Sequence, residues 1–101
     1  MFEYENLKFE WDEGKNQANI KKHGISFEKA SEVFADTNAV YDIDINHSYE
    51  EERFIIIGFD KKLQMLTVCY CERKSEEKIR IISAREATNK ERKLYGGRLW
   101  L

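Results

Sequence analysis

From Arg53 to Phe59 and again from Leu63 to Cys71 the apolar residues run almost without a break, and only Asp60-Lys61-Lys62 stands between the two runs. Each run has strand length and is rich in β-branched and aromatic residues, so the pair predicts a hairpin of two central strands with both sheet faces covered. The remaining segments must then supply the flanking strands and the covering layers.

They do so in a readable order. Phe9 and Trp11 mark a short N-terminal strand, and Asp12 is placed to cap a polar helix from Glu13 onward, with Ile20 as its main apolar anchor. His23-Gly24 closes that helix, the imidazole near the negative end and the glycine free to turn left-handed. Ser26 caps a second helix whose Phe27, Ala30, Val33 and Phe34 fall on one stripe. Tyr41, Ile43 and Ile45 alternate with Asp42 and Asp44 as a one-faced strand, followed by a polar loop over 46–52. After a charged turn over 72–77, residues 78–84 give the last strand. Ser83-x-x-Glu86 and Thr88-x-x-Glu91 each fit a capping box for a closing helix. The expected fold is α+β: a short strand, two helices, an antiparallel sheet of about four strands and a C-terminal helix, in one domain over 1–101.

Charge narrows the function. Seventeen Lys and Arg against nineteen Asp and Glu give a net charge of −2, the wrong sign for binding long nucleic acid by bulk attraction. Any polyanion contact must be local. Lys78, Arg80, Arg85, Lys90, Arg92, Lys93 and Arg98 crowd the C-terminal region, whereas Asp42, Asp44 and Glu50 to Glu52 form an acidic stretch. No apolar run is long enough to cross a bilayer and the N-terminus lacks signal-peptide features, so the expected compartment is the cytoplasm. Cys69 and Cys71 lie two apart on one strand face and read as reduced core thiols.

The segment Arg80-Ile81-Ile82-Ser83-Ala84-Arg85 carries most of the chemistry. Arg80 must emerge on the sheet face opposite Ile79 and Ile81, and a charge among isoleucines is costly unless something pairs with it. With Lys22, His23, Glu52, Arg53, Arg92 and Tyr95 it makes a basic and polar set suited to metal-free RNA cleavage, in which the 2′-hydroxyl attacks the adjacent phosphorus. Plainer readings stand beside this one. His23 is first a helix C-terminal residue, Arg85, Glu91 and Arg92 make ordinary helix ion pairs, and Tyr95 is an apolar anchor. His23, His47, Cys69 and Cys71 lack the spacing of a zinc site, and no cofactor is expected.

Trp11-Asp12, Lys15, Asn19, Lys22-His23-Gly24, Phe27, Ala30, Val33-Phe34, Asp36, His47, Glu52-Arg53, Gly58, Arg80 to Arg85, Ala87, Glu91-Arg92 and Tyr95 together resemble the BrnT family of toxins. The resemblance spans roughly residues 9–95. It implies a RelE-like fold and a type II toxin–antitoxin role: an endoribonuclease that inhibits translation and is neutralised by a BrnA-like antitoxin. That antitoxin would carry the DNA-binding part, so the toxin meets DNA only indirectly, and a toxin homodimer within the complex is implied. Carried over, the family pattern makes Lys22, His23, Glu52, Arg53, Arg80, Arg85, Arg92 and Tyr95 the candidate site, within which we assign Arg80 and Arg85 to phosphate binding and transition-state charge and His23 or Glu52 to proton transfer. Lys22, Arg53, Arg92 and Tyr95 would contact RNA. Such toxins are often basic, and this chain departs from that. A non-catalytic docking module or corepressor, and a metal-dependent hydrolase using His23 and His47, are the alternative readings.

Overall fold

A computed structural model of the chain describes residues 7–44, 52–73 and 77–95. The elements are β1 (Lys8–Glu10), α1 (Glu13–His23), α2 (Phe27–Ser31) continuing as a 3-10 turn (Glu32–Ala35), β2 (Val40–Ile43), β3 (Phe54–Phe59), β4 (Met65–Arg73), β5 (Lys78–Glu86) and α3 (Asn89–Leu94). The strands form one sheet in the order β1-β5-β4-β3-β2. The architecture is α+β as expected, with five strands rather than about four. β1 joins the sheet as a parallel edge on β5, so the sheet is mixed. A strand of three residues has too little alternation to reveal its partner.

The caps fall where the sequence puts them. Asp12 accepts from the Lys15 amide, Ser26 from that of Lys29, and Thr88 forms a reciprocal capping box with Glu91. The other candidate box, at Ser83, loses because β5 runs on to Glu86, pairing Arg85 with Thr67 and Glu86 with Leu66. Gly24 ends α1 at φ +73°, and its N–H bonds the Ile20 carbonyl. The α2 helix tightens into its 3-10 turn after Ser31, so the expected second helix is split.

One sheet face, here the inner face, holds the main core. Phe27, Ala30 and Val33 pack on Ile56, Leu66, Val68, Tyr70, Ile79, Ile81 and Ala84, with Phe9, Trp11, Phe34 and Phe54 around them. Phe34 meets Tyr70 edge-on at 5.0 Å between ring centroids, a favoured aromatic geometry. Gly58 lets α2 approach this face: a Cβ there would stand 2.9 Å from Val33 Cγ1.

The α1 helix is held differently. Ile20 is 37% exposed and does not anchor it, contrary to the sequence reading; Asn16 and Asn19 are its buried residues. Asn16 Oδ1 accepts from the Phe27 amide at 2.8 Å. Asn19 donates to the Ile25 and Ala84 carbonyls at 2.9 and 2.8 Å and accepts from the Ala84 amide at 3.2 Å. Since β1 stops at Glu10, opposite Arg80, Asn19 takes the place of a strand neighbour for Ala84.

The opposite, outer face departs from the expectation that both faces of the hairpin are covered. A small cluster of Ile57, Met65 and Ala87, with Phe59 and Tyr95 against it, lies at one end of that face. The β2 strand is an edge: Tyr41 and Ile43 are exposed, and Ile45 lies outside the described residues.

Candidate active site

Regular alternation would send Arg80 and Arg85 to opposite faces, because they are five residues apart. A bulge in β5 prevents this. Cys69 pairs with Ser83 and Tyr70 with Ile81, leaving Ile82 as an extra residue without a partner on β4. Ala84 therefore points inward like Ile79 and Ile81, while Arg80 and Arg85 both emerge on the outer face.

A cavity of about 400 Å³ opens on that face. Ile82, Ser83 and Arg85 of β5, Thr67 and Cys69 of β4, Ile55 of β3, Arg53 just ahead of it, Asp44 just after β2 and Glu91 of α3 line it. Arg85 is fixed by a fork-to-fork pair with Glu91, Nη1 to Oε1 at 2.7 Å and Nη2 to Oε2 at 2.9 Å. Glu91 in turn accepts from the Thr67 hydroxyl at 3.0 Å and the Thr88 amide at 2.9 Å. The capping box at the start of α3 thus sets the position of a guanidinium on β5. The Arg85 hydrogen bond, more than any other influence, brings the Glu91 pKa down to about 2. Glu91 in turn raises that of Arg85. Glu91 is consequently a fixed negative group and a poor proton acceptor near neutrality. Arg85 spends three N–H groups on Glu91 and on the Glu86 carbonyl, leaving part of its five-donor fork for a ligand.

The other lining groups are set by the strands. The Cys69 thiol donates to Asp44 Oδ2 at 3.6 Å, and burial followed by the Asp44 charge pushes its pKa up to about 12. It is a neutral donor, in line with the sequence reading of an unreactive thiol. Cys71 is buried, and neither cysteine is in a disulfide. Asp44 is joined to the start of β3 through its amide, which bonds the Arg53 carbonyl at 2.8 Å.

Of the residues singled out from the sequence, Arg53 and Arg85 come together here. Arg80 lies at the far end of the same face, where its Nη1 bonds Glu10 Oε2 at 3.0 Å, so the carboxylate that its position demanded is Glu10 of β1. Glu52 is exposed just before Arg53 and does not line the cavity. Lys22 and His23 are exposed at the end of α1, and Arg92 is exposed on α3; none lines the cavity. Tyr95 closes α3 and donates to Asp36 Oδ2 at 2.7 Å, while Asp36 Oδ2 also accepts from the Phe59 amide. Burial and then this bond raise the Tyr95 pKa to about 12, so the phenol acts as a tie from α3 through Asp36 to the end of β3. His47 lies outside the described residues. Among the described residues no three His, Cys, Asp or Glu side chains gather closely enough to hold a metal ion.

Sequence reasoning missed Asp44, Thr67 and Ser83. A threonine inside the β4 apolar run was the one visible signal, since a hydroxyl there needs a partner.

A family model described as the ribonuclease toxin, BrnT, of type II toxin–antitoxin systems matches residues 11–91. The chain belongs to the BrnT family. The matched span includes every residue that lines the cavity. The crystal structure of the Brucella abortus ribonuclease toxin BrnT is similar to this chain, with a TM-score of 0.63 and 28% sequence identity. The similarity covers 83% of this chain and 100% of that one. No curated protein sequence matches. As a BrnT-family member the chain is the toxin component of a type II system, which implies an antitoxin partner. No helix among the described residues is long and apolar enough to cross a membrane.

Proposed function

We propose that this BrnT-family protein is a metal-independent endoribonuclease that cuts RNA by attack of the 2′-hydroxyl on the adjacent phosphorus, breaking the bond from phosphorus to the 5′-oxygen of the next nucleotide, so that one product ends in a cyclic phosphate and the other, after its 5′-oxygen takes up a proton, in a 5′-hydroxyl. The observation that carries this reading is the pairing of Arg53 and Arg85 across one cavity on an open sheet face, with Arg85 held rigid by Glu91. Two guanidiniums there oppose the charge that grows on the phosphoryl oxygens, and a preorganised donor of this kind contributes about 3–4 kcal/mol to the transition state. Asp44 takes the 2′-hydroxyl proton in this scheme, being the lining carboxylate whose role is not to fix Arg85. Glu52 and His23, the residues assigned to proton transfer from the sequence, are the competing choices. Tyr95 supports the site through α3.

In the cell the protein acts in the cytoplasm, slows translation and growth, and is neutralised by a BrnA-like antitoxin that contacts DNA on behalf of a complex containing a toxin homodimer. Inducible expression without the antitoxin gene tests the biological half: growth arrest is expected with the wild type and none with Arg85→Ala. Incubating the purified protein with RNA in excess chelator tests the chemical half. Cleavage that disappears with chelator, or products lacking cyclic phosphate ends, would overturn the mechanism.

A second reading, a docking module without catalysis, draws on the exposed Tyr41 and Ile43 along the β2 edge. It predicts neither arrest nor cleavage.

A further inference from the structure

At the end of the outer face away from α3, the register sets Lys8, Lys78 and Arg73 side by side on three neighbouring strands. Like charges directly opposite one another destabilise a sheet. In the next row Arg80 stands between Glu10 and Cys71. Glu10 is the carboxylate that offsets them among the described residues, lying 2.8 Å from Arg73 Nε, 3.0 Å from Arg80 Nη1 and 3.8 Å from Lys78 Nζ. One negative charge cannot balance four positive ones, and the side chains of Arg73, Lys78 and Arg80 keep 44%, 37% and 32% of their surface exposed. In a chain of net charge −2 this is a local cluster in which, among the described residues, the cations outnumber the carboxylate paired with them.

We infer that this patch is a second RNA-binding subsite, which grips the phosphates of a single strand several nucleotides away from the bond being cut. The inference rests on the endoribonuclease reading and extends it to the substrate: a single-stranded RNA longer than the cavity itself. The bulge at Ile82 puts the patch on the same face as Arg85. Along β4 the Arg73 and Thr67 rows are six residues, or about 20 Å, apart. A stacked strand with an axial spacing of about 3.4 Å per nucleotide crosses that distance in about six nucleotides. An acidic protein partner is the competing occupant. The patch contains none of the large exposed apolar side chains, which are Ile20, Tyr41, Ile43, Leu63 and Leu94 among the described residues, and a protein interface core would want such anchors.

The test measures equilibrium binding and cleavage of a dinucleotide and an octanucleotide RNA by the full chain. It compares wild type with Arg73→Gln/Lys78→Gln, a second variant Lys8→Gln/Lys78→Gln, and the charge-matched control Lys15→Gln/Lys21→Gln on α1. Thermal melting confirms that each is folded. Both patch variants are expected to weaken the octanucleotide about tenfold more than the dinucleotide. The slope of log affinity against log salt should flatten by about 1.4, at about 0.7 per lost phosphate contact. Equal losses for both RNAs, or an equal loss in the α1 control, would overturn the subsite. So would a wild type that binds no octanucleotide, or a poly-aspartate peptide that depends on the patch when RNA does not. Octanucleotide binding that depends on the patch without any cleavage would leave the subsite standing and remove the nuclease reading alone.

Discussion

Cys69 and Tyr70 are neighbours on β4, yet the ring of Tyr70 enters the dry aromatic cluster on the inner face while the thiol of Cys69 edges the polar cavity on the outer one. The difference runs through the whole sheet. The inner face is filled by Phe27, Ile56, Val68 and Ile81, and its polar contributions are asparagines whose bonds are satisfied by backbone. The outer face has a small apolar cluster at one end and gives the rest to guanidiniums, carboxylates and hydroxyls held by one another. The packed core and the candidate site thus lie on opposite sides of one sheet.

The largest expected effect is on the inner side. Phe27 is fully buried, and Phe27→Ala is expected to cost about 3–5 kcal/mol in denaturant unfolding. A loss below about 1 kcal/mol would show that the inner core is not what holds the fold. Arg85→Ala should do the reverse, lowering RNA cleavage by about 10²–10³ while unfolding free energy falls by about 1–2 kcal/mol. If activity and stability fell together by similar factors, the two faces would not be separable. Asn19→Ala removes three hydrogen bonds and strands the Ala84 backbone, with an expected loss of about 2–3 kcal/mol and little change in RNA affinity.

The smallest effect is a pH dependence on the outer side. The pKa of Glu91 is lowered from 4.5 to about 2 in the folded chain, so its pair with Arg85 stabilises fully above about pH 4.5 and is lost as pH falls through about 2. Solvent screening keeps this near 1 kcal/mol. Unfolding curves measured between pH 5 and 2 should therefore fall more steeply for wild type than for Glu91→Gln, and parallel curves would refute the assignment.

Most of the architecture was legible because it depends on local signals: caps at Asp12, Ser26 and Thr88, the glycine after His23, and the paired apolar runs of β3 and β4. The β1 pairing and the hold on α1 were not. Both depend on contacts between distant residues, Glu10 with Arg80 and Asn19 with Ala84, that no periodicity encodes. Within the site, Arg53 and Arg85 were visible as charges in strand sequence. Asp44 and Ser83 were not, because a polar residue near a strand end is ordinary until the register places it beside others. Arg80 needed a partner on charge grounds, and the partner turned out to be a carboxylate of the edge strand that the sequence left without a neighbour.

A β-strand counts in twos, and Ile82 is the odd residue that resets the count midway along β5. Deleting that one position would carry Ala84 out to solvent and drive the Arg85 guanidinium toward Phe27. Substitutions at Ile82 should therefore be tolerated far better than a frame-preserving loss of its codon, even though the side chain itself touches no residue of the main core.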